Sequence, residues 1–166
     1  GKEKYRKELR DNCDWPTTQK FVESSVMNQP SNIIPELCVE YWFNLNDVYK
    51  HYNASDYFLP RSTERFESIR EGDVSKKSFK RLHRWRYSPT AAYGNNEVHL
   101  HPYHARRISV AEALAIQSLP KEYVISKDLS KSDMFKTVGN GVPFLAAKEI
   151  AHSIRVFLEN GVQIGR

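Results

Sequence analysis

The chain has 166 residues, of which 40% are hydrophobic and 27% charged, and its formal net charge is +5. This composition is typical of one globular domain, or one domain with an appendage, and it excludes a disordered chain. Two cysteines are too few for a disulfide scaffold, and no apolar run resembles a membrane span or a signal peptide. We therefore expect an intracellular protein, cytoplasmic or on the nucleoid in a bacterium. Because the chain begins with Gly1, we expect either a trimmed chain or a piece of a longer one.

The N-terminal segment predicts two short helices. Residues 1–12 carry many charges of both signs and favour a solvated helix. The turn formers of Asp14–Thr18 predict the start of a second helix. Its buried side would carry Phe21, Val22 and Val26.

Three further elements are predicted before residue 76. The run Cys38–Phe43 is rich in β-prone and aromatic residues and predicts a strand. The next segment, Asn46–Tyr52, favours a short helix. Another short helix is predicted within Leu59–Gly72, with Phe66 and Ile69 on one face and Gly72 as its end.

The segment Lys76–Arg107 is strongly biased toward positive charge. Its only acid is Glu97, and its basic residues are Lys76, Lys77, Lys80, Arg81, Arg84, Arg86, Arg106 and Arg107. Aromatic residues are interleaved with them. Such a pattern suits a surface that follows the phosphates of a nucleic acid. A merely solvated basic face is the alternative, and composition alone does not choose between the two.

Three histidines, His99, His101 and His104, follow one another closely. On a strand, His99 and His101 would point to the same face, which suits a metal ion. No cysteine lies near them and Glu97 is the only close carboxylate, so we expect no metal site. Just before them, residues 94–96 (Gly-Asn-Asn) predict a loop or tight turn.

Two C-terminal stretches carry the clearest local patterns. Ser109 with Glu112 three residues later is a capping box, so a helix should begin at Ser109, and Pro120 should end it. Farther along, Gly139-Asn140-Gly141 predicts a tight turn that leads into a long amphipathic helix. The apolar face of that helix would carry Ala147, Ile150, Ala151, Ile154, Phe157 and Leu158.

The ends of the long helix also have sequence signals. Pro143 suits its first turn, and Asn160-Gly161 predicts a left-handed end. Free amides at its N-terminus would suit a carboxylate or a phosphate. The alternative is a turn without any ligand.

Together these stretches resemble the last two conserved blocks of the DNA cytosine-5 methyltransferases. The match to the ninth block consists of Arg106, Ile108, Ser109, Glu112, Gln117, Ser118 and Pro120. The match to the tenth block consists of Phe135, Lys136, Val138, Gly139, Asn140, Val142 and Pro143. The chain departs at Ala111 and Ala115, where the family usually has arginine, and at Thr137 and Gly141. Order and spacing agree from Ser88 to Gly161.

The resemblance implies methylation of cytosine C5 in duplex DNA with S-adenosylmethionine. In that family a thiolate that follows proline attacks a flipped-out cytosine, and a glycine-rich loop of a Rossmann-like sheet holds the cofactor. This sequence has neither block, and Cys13 and Cys38 do not follow proline. We therefore expect no catalytic residue in this chain. It would be inactive without a catalytic half, which is either a separate subunit or a missing N-terminal part.

The resemblance also implies a fold class and a set of roles. We expect an α+β protein, with an irregular target-recognition region at residues 1–104. The closing segment, residues 105–166, would complete a Rossmann-like domain encoded elsewhere. Its apolar helix face would contact that domain. S-adenosylmethionine, bound only with the missing half, would lie near Asn140, Gly141 and Val142.

Two sets of residues complete the implied site. Expected DNA contacts are Lys76, Lys77, Lys80, Arg81, Arg84, Arg86, Asn95 and Asn96. Expected structural positions are Arg106, Ser109, Glu112, Gln117 and Gly139. The alternative function is a non-catalytic DNA-binding or regulatory module derived from a methyltransferase. Cofactor binding after addition of the catalytic half would distinguish the two.

Overall fold

Five short α-helices and one long C-terminal helix, joined by irregular segments, make up the described part of this chain. The computed structural model describes residues 7–91, 93 and 97–161. Its α-helices are α1 (Lys7–Asp11), α2 (Val39–Leu45), α3 (Glu64–Glu67), α4 (Val110–Ile116), α5 (Lys131–Asn140) and α6 (Phe144–Gly161), with a 3-10 helix at Pro35–Leu37. Within these ranges the β structure consists of three isolated bridges and no regular strand. None of the described helices is long and apolar enough to cross a membrane.

The main core forms where α4 packs between α2 and α5. Phe43 of α2, Leu114 of α4 and Phe135 of α5 are all buried in it. Ala111 and Ala115, the two positions where the family usually has arginine, are also buried in α4, at 2% and 1% exposure. Because an arginine at either position would bring a charge into this core, alanine is the residue type that suits the packing of α4 here.

The run predicted as a strand, Cys38–Phe43, is helical from Val39 onward, with Cys38 as the extended residue before the helix. The amide of Val39 donates to the carbonyl of Arg86 at 3.0 Å, and the amide of Glu40 donates to that of Arg84 at 3.0 Å. Tertiary neighbours therefore satisfy the free amides of the first turn of α2, which a helix otherwise leaves unpaired. The spacing of Val39 and Phe43 places both in the core.

The predicted helices near the N-terminus are only partly present. The α1 helix covers residues 7–11 of the predicted charged helix. Asp14–Thr18 starts no helix, since Gln19 pairs with Glu71 in an antiparallel bridge. Val22 and Val26 are 58% and 86% exposed, so the prediction that they are buried is wrong.

Two other short elements differ from expectation in length. Asn46–Tyr52 forms turns, and Asp47 has a φ of 46°, which is incompatible with continuing α2. The helix within Leu59–Gly72 is confined to α3. Phe66 and Ile69 do pack in one cluster, as predicted. Gly72 has a φ of 81°, a conformation that favours glycine.

The long amphipathic helix is confirmed as α6. It begins directly after Pro143 and includes Asn160 and Gly161, so the predicted left-handed end is not formed there. Each residue from Asn140 to Asn160 is exposed. The apolar face that contains Ile150, Ile154 and Phe157 therefore lacks a partner among the described residues.

Candidate functional site

The capping box at the start of α4 is formed as the sequence predicts. The Ser109 amide donates to Glu112 Oε2 at 2.7 Å, and the Glu112 amide donates to Ser109 Oγ at 3.2 Å. Arg106 adds two parallel bonds to the same carboxylate, Nη1 to Oε2 at 2.9 Å and Nη2 to Oε1 at 2.7 Å. One buried carboxylate thus ties the chain before α4 to the first turn of that helix.

The electrostatics of Glu112 follow from this arrangement. Burial alone would raise the pKa of the Glu112 carboxyl. The His101 imidazole and the Arg106 guanidinium outweigh burial and hold that pKa well below its usual range. Glu112 is therefore a charged, fully paired group of the core.

Hydroxyl groups continue this network from α4 to α2. His101 Nε2 lies 3.5 Å from Glu112 Oε1 and 3.3 Å from the Tyr49 hydroxyl. The Tyr49 and Tyr103 hydroxyls are 2.6 Å apart, and Tyr103 donates to Glu40 Oε1 at 3.2 Å. The network couples the two helices through polar contacts, although the second carboxylate oxygen of Glu40, Oε2, is buried without a hydrogen-bond partner.

The histidines His99 and His101 are buried, neutral residues of the core. His101 Nδ1 accepts from the amides of Tyr103 and His104 at 3.2 and 3.1 Å. Burial lowers the pKa of both His99 and His101 to about 4, so both rings are neutral at physiological pH. Among the described residues, no three His, Cys, Asp or Glu side chains are placed to hold a metal ion.

Arg84, predicted to contact DNA, is instead a buried structural residue. Its Nε donates to Glu71 Oε1 at 2.9 Å and its Nη2 donates to Glu71 Oε2 at 3.1 Å. Its guanidinium also lies 4.4 Å from the ring centroid of Tyr103. At 3% exposure Arg84 has no surface to offer a phosphate, so the prediction of a DNA contact is corrected.

Arg81 requires the same correction. It has no exposed surface, and its Nε donates to the carbonyl of Ile69 at 3.0 Å. Its two Nη atoms donate to the carbonyls of Phe66, His101 and His104. Arg81 thus holds together segments that are joined by no regular strand, and burial lowers its pKa to about 10. The sequence offers no signal for this role, because the four carbonyls come from distant positions.

The other basic residues lie nearer the surface. Lys76 and Lys77 are exposed, and Lys77 pairs with Glu97 at 3.3 Å. Lys80 and Arg86 are half-buried. Asn95 and Asn96, also predicted to contact DNA, lie outside the described residues.

Arg65 and Arg107 are cations that the predicted site did not include. Their guanidinium carbons lie 4.1 and 5.0 Å from the ring centroid of Phe79. Phe79 has a φ of 64°, which is rare for a bulky residue. It directly precedes Lys80, so this aromatic ring connects the basic loop Lys76–Lys80 with two further arginines.

The Gly139-Asn140-Gly141 stretch differs from the expected turn. Gly139 and Asn140 form the end of α5, and Gly141 follows with a φ of −73°. Asn140 is not among the residues with positive φ, so a left-handed turn is not the reason for an asparagine here. Asn140, Gly141 and Val142 are exposed side by side between α5 and α6, and their cofactor role stays a prediction.

The N-terminus of α6 is held by two residues of the ninth block. The Phe144 amide donates to the Gln117 carbonyl at 2.9 Å, and the Leu145 amide donates to Ser118 Oγ at 3.0 Å. These amides are therefore not free for an anion, contrary to the prediction. Ser118 has a φ of 55°, the left-handed conformation that commonly follows the end of a helix.

Gly139 permits a close approach between α5 and the backbone of Tyr93. A Cβ at this position would lie 3.0 Å from the backbone nitrogen of Tyr93 and 3.3 Å from its Cβ. The Gln117 side chain donates to the Val138 carbonyl at 3.3 Å and fixes the end of α5 against α4. The structural position predicted for Gly139 thus has a steric reason.

A wide groove separates α6 from the body of the molecule. Its volume is about 1050 Å³, and its floor includes Trp42, Tyr87 and Ile116. Ile150 and Ile154 of α6 form the opposite wall. The groove is large, apolar and open, as expected for a surface that another structural unit covers.

Comparison with known proteins assigns the family. The profile of the C-5 cytosine-specific DNA methylases matches residues 3–155. The chain is 64% identical over 148 residues to "Type II methyltransferase M.NmeDI" of Neisseria meningitidis serogroup C, a match that covers 89% of this chain and 35% of that protein. It is 42% identical over 55 residues to "Type II methyltransferase M.AplI" of Arthrospira platensis, covering 33% of this chain and 15% of that protein.

The matches also show how much of its relatives' length the chain covers. The chain spans about a third of the length of the Neisseria relative. No solved structure gives a significant match. With a family profile that covers nearly all of its residues, the chain belongs to the C-5 cytosine-specific DNA methylases.

Proposed function

We propose that this chain is the C-terminal, target-recognition portion of a cytosine-5 DNA methyltransferase that uses S-adenosylmethionine. Residues 1–104 would form the recognition region, and residues 105–166 would complete a Rossmann-like catalytic domain. In the structure α2 and α4 share one core across this boundary, so the two portions are firmly attached. Without the Pro-Cys nucleophile and the cofactor loop, the chain alone transfers no methyl group.

The observation that carries the proposal is the exposure of α6. Phe157 is 72% exposed, and Ile150 and Ile154 are 58% and 55% exposed. Since burying a large apolar side chain contributes about 1.5–3 kcal/mol, a helix that leaves this face in water lacks its packing partner. The catalytic domain is the partner that the family membership supplies.

The DNA-facing surface is reassigned to the loop Lys76–Lys80 and to Arg86. Lys76 and Lys77 are exposed, whereas Arg81 and Arg84 are buried in the body of the molecule. Lysines at such positions contact phosphates, which position a protein on DNA without reading its sequence. The loop directly precedes Arg81, whose buried side chain donates to four backbone carbonyls. One end of the loop is therefore fixed to the body of the molecule.

The cofactor proposal rests on the junction between α5 and α6. Asn140 ends α5 with an exposed side chain, and Val142 is 66% exposed. Both lie beside the groove lined by Gly141 and Pro143, where the catalytic domain would dock. We assign Asn140, Gly141 and Val142 to contacts with the amino-acid end of S-adenosylmethionine in the assembled enzyme.

Complementation tests this function. The chain is mixed with the part of the Neisseria relative that it does not match, and incorporation of tritiated methyl groups into DNA is measured. We expect incorporation by the mixture and none by either part. The variant Ile150→Glu/Ile154→Glu should abolish complementation while its own melting temperature is unchanged, because both residues are already exposed.

The control variant is His152→Glu. By helical spacing His152 lies away from the apolar face of α6, so this charge change should leave complementation intact. Methyl transfer by the isolated chain would contradict the proposal. DNA binding without any response to the catalytic part would instead favour the alternative of a stand-alone DNA-binding module.

A further inference from the structure

A second, smaller cavity lies between α5 and the segment that carries Arg107. Its volume is about 340 Å³. Arg107, Ser132 and Lys136 contribute its polar lining, and Phe58, Tyr93 and Phe135 contribute aromatic walls. None of these residues belongs to the set predicted to contact DNA or the cofactor.

Arg107 is the unusual group in this cavity. It is only 8% exposed, one of its Nη atoms donates to the Val98 carbonyl, and no described carboxylate lies within ion-pairing distance of it. Burial lowers the pKa of its guanidinium. A buried cation without a counter-ion is costly, and an anion in the cavity would neutralise it.

Two residues of α5 add to the positive character of the cavity. Lys136 and Ser132 lie one helical turn apart and both line it. Lys136 Nζ is 3.8 Å from Asp133 Oδ1, but the other oxygen of Asp133 accepts from the Ser130 hydroxyl at 2.6 Å. The cavity therefore presents two cations and a hydroxyl donor near the first turns of a ten-residue helix, where the helix dipole favours negative charge.

The size and walls of the cavity restrict the ligand. Ligand pockets occupy about 300–1,000 Å³, so this volume exceeds the needs of a bare phosphate. The Phe58 and Phe135 rings stack with centroids 5.5 Å apart and supply an apolar wall suited to a sugar. A sugar-phosphate unit fits this combination of charge and apolar surface.

We propose that this cavity binds the phosphate of a nucleotide unit, with Arg107 and Lys136 as its charge partners and Ser132 as a hydroxyl donor. The geometry favours a phosphate of the DNA backbone over a free nucleotide. The Arg107 guanidinium lies 5.0 Å from the ring centroid of Phe79, which is part of the basic loop Lys76–Lys80. The choice of DNA rests on the function proposed above, whereas phosphate binding itself does not.

Titration of the 166-residue chain with inorganic phosphate tests the site. Phosphate should raise the melting temperature of the wild-type chain. The apparent affinity of the Lys136→Gln variant for phosphate should be roughly tenfold lower, the equivalent of about 1.4 kcal/mol for one charge-assisted bond. Lys148→Gln on α6 removes the same charge outside the cavity and should behave as wild type. Because Lys136 is half-exposed, its replacement leaves the core intact even if Arg107→Gln proves unstable.

A short DNA duplex identifies the source of the phosphate. If the phosphate belongs to DNA, Lys136→Gln should weaken duplex binding and reduce the salt slope by about one, whereas Lys148→Gln should not. If inorganic phosphate binds but both variants bind the duplex equally, the site takes a free phosphate ligand. An absent phosphate effect on the wild-type melting temperature, with equal duplex binding by the two variants, would overturn the proposal. Methyl transfer in the complementation assay is a separate readout, so the two proposals can fail independently.

Discussion

Arg106 and Glu112 form a bidentate ion pair, with Nη–Oε distances of 2.9 and 2.7 Å, at the entrance to α4. Glu112 is 1% exposed and also accepts the Ser109 amide. The pair therefore connects the segment just before α4 to the helix on which the core is built. Its geometry has consequences for stability, because a buried carboxylate that loses its partner is left as an uncompensated charge.

Replacement of Arg106 by methionine should destabilise the chain by about 3–5 kcal/mol. Combining it with Glu112→Gln should cost less than the sum of the two single changes, since the unpaired charge disappears and glutamine still supports the capping box. Urea unfolding of the two single variants and the double variant measures this coupling. Simple additivity would show that the pair does not act as a unit.

Stability should fall when the pH drops from 6.5 toward 4. Burial lowers the pKa of His83, His99, His101 and His104, and for His99 and His101 to about 4. Below pH 6.5 the histidines of the unfolded chain take up protons, while the same rings stay neutral in the folded chain. The free energy of unfolding therefore decreases as the pH falls through this window. Each of the two most shifted rings should account for about 3 kcal/mol.

The variant His99→Gln isolates the contribution of one histidine to this loss of stability at low pH. Its unfolding free energy should depend less steeply on pH between 6.5 and 4 than that of the wild type. Glu112, whose pKa is lowered, contributes stability that is lost only below its unfolded value of about 4.5, so it acts outside most of this window. Equal pH slopes for the two proteins would contradict a neutral His99 in the fold.

Gly139→Ala should destabilise the contact between α5 and Tyr93. The added Cβ would lie 3.0 Å from the Tyr93 backbone nitrogen, and such crowding costs about 1–3 kcal/mol. Alanine gains about 1 kcal/mol in helix propensity, which offsets only part of this loss. Gly141→Ala is the matched control, because Gly141 has a φ of −73° and an added Cβ would meet only the carbonyl oxygens of Val138, at 3.3 Å, and Thr137, at 3.7 Å. Equal stabilities of the two variants would argue against the close approach.

Basic residues in the same segment should respond in opposite ways. Lys76→Gln, Lys77→Gln and Lys80→Gln combined should leave the melting temperature unchanged. The same triple change should reduce the salt dependence of DNA binding by about one counterion for each phosphate that these lysines neutralise. Arg81→Gln should instead destabilise the fold, since four backbone carbonyls contact this side chain. An unfolded triple variant together with a stable Arg81→Gln would reverse this assignment.

Asn140→Ala separates a binding role from a conformational one. Because Asn140 is helical, alanine should keep the unfolding free energy or raise it by a few tenths of a kcal/mol. In the complemented enzyme the same change should weaken S-adenosylmethionine binding, as measured by calorimetric titration. Wild-type cofactor affinity for Asn140→Ala would remove Asn140 from the cofactor site.

Local patterns in the sequence determined several features of this protein. The capping box of Ser109 and Glu112 joins residues three positions apart, so chain geometry alone brings them together. The apolar spacing of α6 likewise needs no tertiary information, and it marks a face that stays exposed here. The family-specific order of the last two blocks identified the class of protein.

Only the tertiary structure decided the roles of Arg81, Arg84 and Cys38–Phe43. The sequence of a basic run does not show which of its side chains face solvent and which face the core. The carbonyls that surround Arg81 come from positions 66, 69, 101 and 104. The α2 helix, likewise, begins on carbonyls of Arg84 and Arg86, more than forty residues along the chain. Local residue spacing does not predict such partners, because hydrogen bonds between distant segments depend on how the whole chain folds.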